Sequence, residues 1–179
     1  MDYEYRIRMK VGKKILLVLA LALIAIVVGG GVWFLSAFNK DVVSPVVTIN
    51  PGGVDRALVV YQPGLSSGPR DASYAFTEGL ASAGWRVEVT TASQEAPSDM
   101  SVYELLVLAF PIYGGQPGEA ILRYVTRLGD LQGTGAAIIN CNTPNAVMQA
   151  NVEAKGGTVV KNLAAGTANL RQEGGQIAP

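Results

Sequence analysis

Three short polar segments contain the residues whose types and spacing could bind a ligand. The first, QPGLSSGPRD at residues 62–71, combines two serines, two glycines, an arginine and an aspartate. Backbone amides at a helix start, together with hydroxyls and an arginine, can hold a phosphate, whereas Asp71 would repel one. A serine-capped helix start without a ligand is the structural alternative. The candidate phosphate ligands are Ser66, Ser67, Gly68 and Arg70.

The other two segments suit a flat ligand and its polar contacts. FPIYGGQP at residues 110–117 places Tyr113 before two glycines, which allow backbone conformations that other residues avoid. A tyrosine ring can lie against a flat ligand, although a tight turn with Tyr113 covering the sheet end would have the same sequence. NCNTPNA at residues 140–146 supplies amides and a hydroxyl, and its Cys141 is interpreted as a small buried residue.

Composition excludes several other kinds of site. The chain has no histidine, which rules out Ser-His-Asp and Cys-His catalysis and any histidine-ligated metal. One cysteine rules out an intrachain disulfide and a thiolate metal cage. Lys plus Arg and Asp plus Glu both number 14, so the formal net charge is zero. We therefore expect neither a metal nor a nucleic acid among the partners.

An uncharged segment near the N-terminus is predicted to anchor the chain in a lipid bilayer. Residues 15–38 carry no charge, and as a helix they would extend about 36 Å, enough for a hydrocarbon core of about 30 Å. A cleaved signal peptide, with Gly29 and Gly31 as the small-residue pair, is the alternative. The apolar run is longer than a signal peptide needs, so an uncleaved single span is the preferred interpretation.

Charge around this segment predicts its orientation. Five cations lie before it, in the basic flank of residues 1–14, whereas Lys40 is the one cation in the 15 residues after it. Positive residues stay on the cytoplasmic side of a membrane. We therefore expect a single-pass protein of the cell membrane, with a cytoplasmic N-terminus and an extracytoplasmic domain.

The rest of the chain alternates between predicted strands and helices. Apolar or alternating runs predict strands at 57–61, 85–91, 104–110, 136–140 and 158–160. Helices are predicted at 73–84, from Pro117 to about 128, and at 145–157, with at most one helical turn in the crossover at 92–103. This order predicts a parallel sheet with helical crossovers, which binds ligands beyond the carboxyl ends of its strands.

The predicted elements divide the chain into parts. Residues 39–55, interrupted by prolines and glycines, are interpreted as a linker. Its VVTI sequence is compatible with a short strand, although nothing else in the sequence fixes one. Residues 56–163 form the predicted domain. The tail at 164–179, rich in glycine and alanine, is expected to be flexible and to lack a final helix. One face of the sheet would then be incompletely covered.

Residues 56 to about 163 resemble the flavodoxin-like family. ELLVLAFPIYGGQPGEAILRYV is similar to its third strand, the loop beside the flavin and the next helix, where P-x-Y-G-G is common. ALVVYQPGLSSGPRDASYAFTEGLASAGWRVEV is similar to its first strand, phosphate loop, helix and second strand, and VEAKGGTVV to its fourth helix end and fifth strand. The resemblance implies an α/β fold: a parallel sheet of about five strands, ordered 2-1-3-4-5, with helices on both faces.

The resemblance also implies flavin mononucleotide (FMN) as cofactor. Its phosphate would be cradled by Ser66, Ser67 and Gly68. Its isoalloxazine ring would be flanked by Pro111, Ile112, Tyr113 and Gly114, with Asn142 and Thr143 on the opposite side. The chain departs from the family's S/T-x-T-G-x-T phosphate loop, because this loop is one residue longer and lacks the last threonine. The third loop also lacks the aromatic residue that often covers the flavin.

Two functions follow from the resemblance. The first is a membrane-tethered, FMN-binding electron carrier or small flavin oxidoreductase, working with a redox partner protein or membrane complex. The alternative is a flavodoxin-like module without flavin that acts as a membrane-anchored interaction subunit. A hydrolase is not expected, since the sequence shows no base-activated nucleophile.

Overall fold

The computed structural model of the chain describes residues 17–31, 42–140, 143–166 and 168–179. Two units are distinguished, Met1–Asn39 and Lys40–Pro179. In the first, residues 17–31 form a helix, α1. The remainder of the predicted span at 15–38 lies outside the described residues. Among the helices that are described, none has both the length and the apolar character needed to cross a membrane.

The second unit alternates strands and helices. In chain order the elements are β1 (Val47–Ile49), β2 (Arg56–Tyr61), α2 (Gly68–Ser82), β3 (Arg86–Thr91), β4 (Leu105–Phe110), β5 (Ile112–Tyr113), β6 (Gln116–Pro117), α3 (Glu119–Arg127), β7 (Gly135–Asn140), α4 (Ala146–Glu153), β8 (Thr158–Ala164) and α5 (Leu170–Gly175). One sheet has the order β1-β3-β2-β4-β7-β8, and β5 and β6 form a separate hairpin.

The main sheet confirms the predicted topology and adds one strand to it. β2, β3, β4, β7 and β8 pair in parallel, and numbering these five in chain order gives 2-1-3-4-5. β1 pairs antiparallel with β3, with Thr48 opposite Glu88. The predicted linker at 39–55 therefore contains the short strand that its VVTI sequence allowed, at Val47–Ile49. β3 would otherwise be an edge strand with unpaired backbone groups, and residues 47–49 satisfy them.

Unbroken apolar runs form the central strands because both faces of the sheet are covered by helices. All six residues of β4 are buried. Alternate side chains enter two cores, one shared with α3 and α4 and the other with α2 and α5. Each fully buried leucine or valine contributes about 1.5–3 kcal/mol relative to an exposed one, so these runs hold the loops in position.

The expectation of a flexible tail without a helix is wrong, because α5 packs closely against α2. A β-carbon on Gly79 would lie 2.2 Å from the carbonyl oxygen of Arg171, and one on Gly174 would lie 2.4 Å from that of Phe76. Farther along, Trp85 Nε1 donates to the carbonyl oxygen of Ile177 at 2.9 Å. Glycine in this tail allows two helix backbones to touch, so the sheet face expected to lack cover has it.

The crossover between β3 and β4 contains no helix and is held by side chains of α3. Arg127 Nη2 donates to the carbonyl oxygens of Ser93 at 2.7 Å and Ala96 at 3.0 Å. The Tyr124 hydroxyl donates to the carbonyl oxygen of Pro97 at 2.7 Å. These bonds satisfy backbone carbonyl groups that a helix would satisfy internally, and they hold the irregular segment in place.

A charged cluster lies on the same sheet face as this crossover. Glu88 accepts hydrogen bonds from Arg56 Nη2 at 2.8 Å and from the Tyr103 hydroxyl at 2.6 Å, and Arg86 Nη2 lies 3.5 Å from its Oε1. Burial acts to raise the pKa of Glu88, but these hydrogen bonds and the two arginine charges outweigh burial and lower it. Burial and the bond to Glu88 raise the pKa of Tyr103 to about 12.

We predict that Glu88→Gln lowers the free energy of unfolding of the domain and also reduces the dependence of that free energy on acidic pH. At neutral pH the free energy of unfolding should fall by about 1–3 kcal/mol, because two partly buried arginines lose their counter-charge. The folded-state pKa of Glu88 lies below its ordinary value of 4.5, so its contribution is complete above that pH and is lost as the pH falls through the lower value. The variant should lack this part of the acid transition.

Urea unfolding of residues 40–179 at several pH values measures this effect, with fluorescence of Trp85, the one tryptophan in that range, as the probe. Glu95→Gln removes the same charge from an exposed position and serves as the control. If the stability of Glu88→Gln and that of the unmodified domain depended on pH in the same way, Glu88 would not be the source of this part of the acid transition.

Candidate functional site

Backbone pairing brings the three polar segments to one edge of the sheet. Tyr61 pairs with Ala109, and Phe110 pairs with Asn140, so β2, β4 and β7 end side by side. Neighbouring strands are about 4.8 Å apart, which places the starts of the three following segments within about 10 Å. This edge, marked by the last residues of β2, β4 and β7, is termed the carboxyl edge below.

The first segment ends in a helix start whose amides are poorly satisfied. α2 begins at Gly68, so Gly68 and Arg70 lie in its first turn and not in the loop where they were predicted. Ser67 is the N-cap residue, but no side chain caps the helix, and Gly68 N–H reaches Ser66 Oγ only at 3.4 Å. Both serines are exposed. Unsatisfied amides at a helix N-terminus favour an anion.

Two charged side chains accompany this helix start. The Arg70 guanidinium lies 5.8 Å from the centre of the Tyr74 ring, one turn along α2. Asp71 is also in the first turn and is exposed. Its charge favours the helix N-terminus but opposes a bound anion there. The pKa of Tyr61, at the end of β2, is raised mainly by burial and to a smaller extent by the neighbouring Tyr74.

The second segment is a hairpin, a more regular structure than the predicted loop. β5 and β6 pair with Tyr113 opposite Gln116, and the turn between them consists of Gly114 with φ 58° and Gly115 with φ 82°. Positive φ at both central residues is typical of a type I′ turn, which glycine adopts at no steric cost. Pro117, predicted to open α3, belongs to β6, and Glu119 opens the helix instead.

The first and second segments lie close together at Gly64. A β-carbon on Gly64 would lie 3.4 Å from Pro111 Cβ and 3.5 Å from the Tyr113 hydroxyl oxygen. Pro111 is buried, whereas Ile112 and Tyr113 are half-buried and Gly114 is exposed. Two of the three predicted parts of the site are therefore adjacent.

The third segment is fixed by asparagine side chains. Thr143 N–H donates to Asn140 Oδ1 at 3.1 Å, and the Thr143 residue is exposed. Asn145 caps α4 by accepting from Met148 N–H at 2.8 Å, and Asn162 on β8 accepts from Asn145 N–H at 2.9 Å. α4 also contacts β6. Asn142 and Cys141 lie outside the described residues, so their predicted places are not part of this geometry.

Gln62 connects the first segment to the start of α3, and sequence reasoning did not identify it. Its side-chain Oε1 accepts from Ile121 N–H at 3.0 Å, an amide in the first turn of α3. Its backbone N–H continues the ladder by donating to the carbonyl oxygen of Ala109 at 2.8 Å. A glutamine after a strand does not indicate a partner 59 residues away in the sequence. The available signal is that Gly118, the N-cap residue of α3, has no side chain that could cap the helix, so another residue has to accept from its first amides.

A cavity of about 400 Å³ lies beside α3 and the segment after β3. Its charged and polar lining includes Ser93, Gln94, Glu119, Arg123 and Arg127. None of the predicted site residues that the structure describes lines it. Arg127 is already bonded to the crossover, and Arg123 pairs with Glu119 at 2.8 Å. This cavity is therefore separate from the predicted site.

No protein-family model matches the chain, and no curated protein matches it in sequence. Solved structures do match it. A short-chain flavodoxin associated with a PDU bacterial microcompartment has a TM-score of 0.55 at 16% identity, covering 68% of this chain and 96% of its own. The fold is flavodoxin-like. The solution structure of two-electron reduced Megasphaera elsdenii flavodoxin has a TM-score of 0.52 at 15% identity, and the match covers 68% of this chain and 99% of that flavodoxin.

A flavodoxin from Streptococcus pneumoniae TIGR4 has a TM-score of 0.52 at 14% identity, covering 68% of this chain and 95% of its own. The similarity therefore extends over nearly the whole of each flavodoxin. At such identities it establishes the fold of the flavodoxin-like domain and leaves the ligand to be argued from the residues.

We predict that Gln62→Ala loosens the start of α3. Ile121 N–H loses its acceptor in a buried position, which costs about 1–3 kcal/mol. Hydrogen exchange of the Ile121 amide, measured by NMR on residues 40–179, should accelerate strongly, with a matching loss in the free energy of unfolding. Gln94→Ala, at an exposed glutamine, is the control. Unchanged Ile121 exchange would show that Gln62 does not hold the helix.

Proposed function

We propose that this chain is a membrane-tethered, flavodoxin-like electron carrier that binds FMN at the carboxyl edge. The observation that carries the proposal is that the segment leading into the uncapped α2 lies beside the Tyr113 hairpin in a flavodoxin-like fold. The start of α2 suits a phosphate, and the hairpin with Tyr113 suits a flat ring. FMN, when bound, accepts and donates one or two electrons; the protein's part is to hold and orient it.

The start of α2 would hold the phosphate. Exposed Ser66 and Ser67 supply hydroxyl donors, and the first-turn amides, including Gly68 N–H, point toward the helix N-terminus. Arg70 supplies a positive charge, while Asp71 offsets part of it. The absence of any side-chain cap on α2 supports this role, because a bound anion would satisfy the same amides.

The hairpin and the third segment would flank the ring. Tyr113 is half-buried and offers an aromatic face, and Pro111 and Ile112 supply apolar surface. Gly114 has no side chain, so its peptide can approach a ring closely. Thr143, and by the resemblance Asn142, would line the opposite side. The exposed position of Thr143 supports an open outer face.

Membrane attachment is the second part of the proposal. Residues 15–38 would form a single span in the cell membrane, with the basic flank in the cytoplasm and the domain outside. A redox partner protein or membrane complex would then exchange electrons with the carrier. The uncharged run and the five preceding cations support this arrangement.

Absorbance of residues 40–179 with added FMN tests the proposal. We expect binding near one flavin per chain, with a shifted spectrum and quenched flavin fluorescence. Tyr113→Ala should weaken both binding and quenching, whereas Tyr113→Phe keeps the ring and should stay close to the unmodified domain. A domain that ignores FMN would overturn the proposal and favour the flavin-free interaction subunit.

Charge changes at the start of α2 should alter affinity for FMN but not for riboflavin, which lacks the phosphate. We predict that Arg70→Gln weakens FMN binding about threefold to tenfold and that Asp71→Asn strengthens it by a similar factor, since each changes one screened charge near the phosphate. Fluorescence titration at low salt measures both ligands. Equal effects on riboflavin and FMN would place the phosphate elsewhere.

A further inference from the structure

The cavity of about 400 Å³ beside α3 lies where the crossover between β3 and β4 contains no helix. Parallel strands are usually connected by helices, which cover the face of the sheet with their side chains. Here the crossover begins with the irregular segment Ala92, Ser93 and Gln94, which lines the cavity together with residues of α3 from Glu119 to Arg127. The volume is within the usual range of small-molecule sites, roughly 300–1,000 Å³.

The charged residues of this cavity leave one positive charge unbalanced. Arg123 and Glu119 pair with each other at 2.8 Å, and Arg127 is the third charged residue of the lining. Within the described ranges no carboxylate pairs with Arg127, although the residue is half-buried. Removing a charge from water costs free energy, which an opposite charge offsets. An anion is therefore the ligand that this charge favours.

The guanidinium of Arg127 is held in place and still has donors for an anion. Both of its bonds to the crossover, at the carbonyl oxygens of Ser93 and Ala96, are made by Nη2. A guanidinium has five N–H groups, so the three on Nε and Nη1 take no part in these bonds. The guanidinium carbon also lies 5.5 Å from the centre of the Tyr124 ring, and the hydroxyl of that tyrosine donates to the crossover. The charge is thus positioned before any ligand arrives.

Ser93 adds a second polar group that lacks a partner. The residue is 5% exposed, and in the described part of the chain its Oγ makes no hydrogen bond. Buried hydroxyls are nearly always hydrogen-bonded, so this one calls for an explanation. Arg127 Nη2 lies 2.7 Å from the carbonyl oxygen of the same serine, which brings both groups to one part of the cavity. The apolar lining includes Ala92, Ala120 and Leu122.

We propose that this cavity binds a small organic anion with a single carboxylate group. The carboxylate would accept from the guanidinium of Arg127 and from the hydroxyl of Ser93, and the rest of the molecule would contact the apolar lining. One negative charge balances the one excess positive charge, whereas a doubly charged phosphate would also face Glu119. The inference requires neither FMN nor a membrane, because it concerns a different part of the domain.

NMR titration of the full-length chain with 4-fluorobenzoate tests the site, and 4-fluorobenzamide is the neutral probe of nearly the same shape. We expect 4-fluorobenzoate to shift the Ser93 amide and the Arg127 Nε–H resonances, with a dissociation constant on the order of 1 mM for a ligand of about ten heavy atoms. The amide should bind about tenfold more weakly, because it lacks the charge that strengthens hydrogen bonds to arginine.

Three variants locate the binding. Arg127→Gln should weaken 4-fluorobenzoate about tenfold through the lost charge-assisted bonds. Since this change also removes support from the crossover, Thr126→Trp provides a second test: residue 126 is exposed and lines the cavity, so the larger ring should obstruct it while Arg127 stays. Arg171→Gln removes the same charge from an exposed position on α5 and should change nothing.

Several outcomes would overturn the proposal. They are the absence of 4-fluorobenzoate binding, equal affinity for the two probes, unchanged affinity in either Arg127→Gln or Thr126→Trp, and shifts confined to residues outside the cavity lining. FMN titration of the same samples is an independent measurement. A chain that ignores FMN but binds 4-fluorobenzoate beside Arg127 would support this site and contradict only the proposed cofactor.

Discussion

The backbone hydrogen bonds of the parallel strands are the constraint on which the candidate site depends. Pairing of Tyr61 with Ala109 and of Phe110 with Asn140 leaves no freedom in where the three following segments begin. A shift of register would turn alternate side chains to the other face and expose both cores. Because apolar burial on two faces maintains the register, residues far from the carboxyl edge determine the position of those on it.

Features that depend on local pattern could be predicted from the sequence. Buried strands appear as apolar runs, and their parallel order follows from the helices between them. Features that depend on contact between distant residues could not. Gly79 and Gly174 look like flexible positions until α2 and α5 are seen in contact, and Gln62 looks like any loop residue until Ile121 is found beside it. Site residues were predictable as types, but Gly68 and Arg70 required knowledge of where α2 begins.

Side-chain hydrogen bonds hold the crossover between β3 and β4, which contains no helix, and a charged cluster lies on the same face of the sheet. Arg127 and Tyr124 hold the crossover through its carbonyl groups, and Glu88 gathers two arginines and Tyr103. Such a cluster is stable only while every charge keeps its partner, because burial penalises an unpaired ion.

β1 has a consequence larger than its three residues suggest. A sheet made only of the five parallel strands would receive the chain at Arg56, on the edge opposite the candidate site. An antiparallel strand before β2 reverses that direction and brings the chain in at Ser44, beside Thr91. One short strand therefore determines that the described part of the domain begins beside the carboxyl edge and not at the opposite end of the sheet.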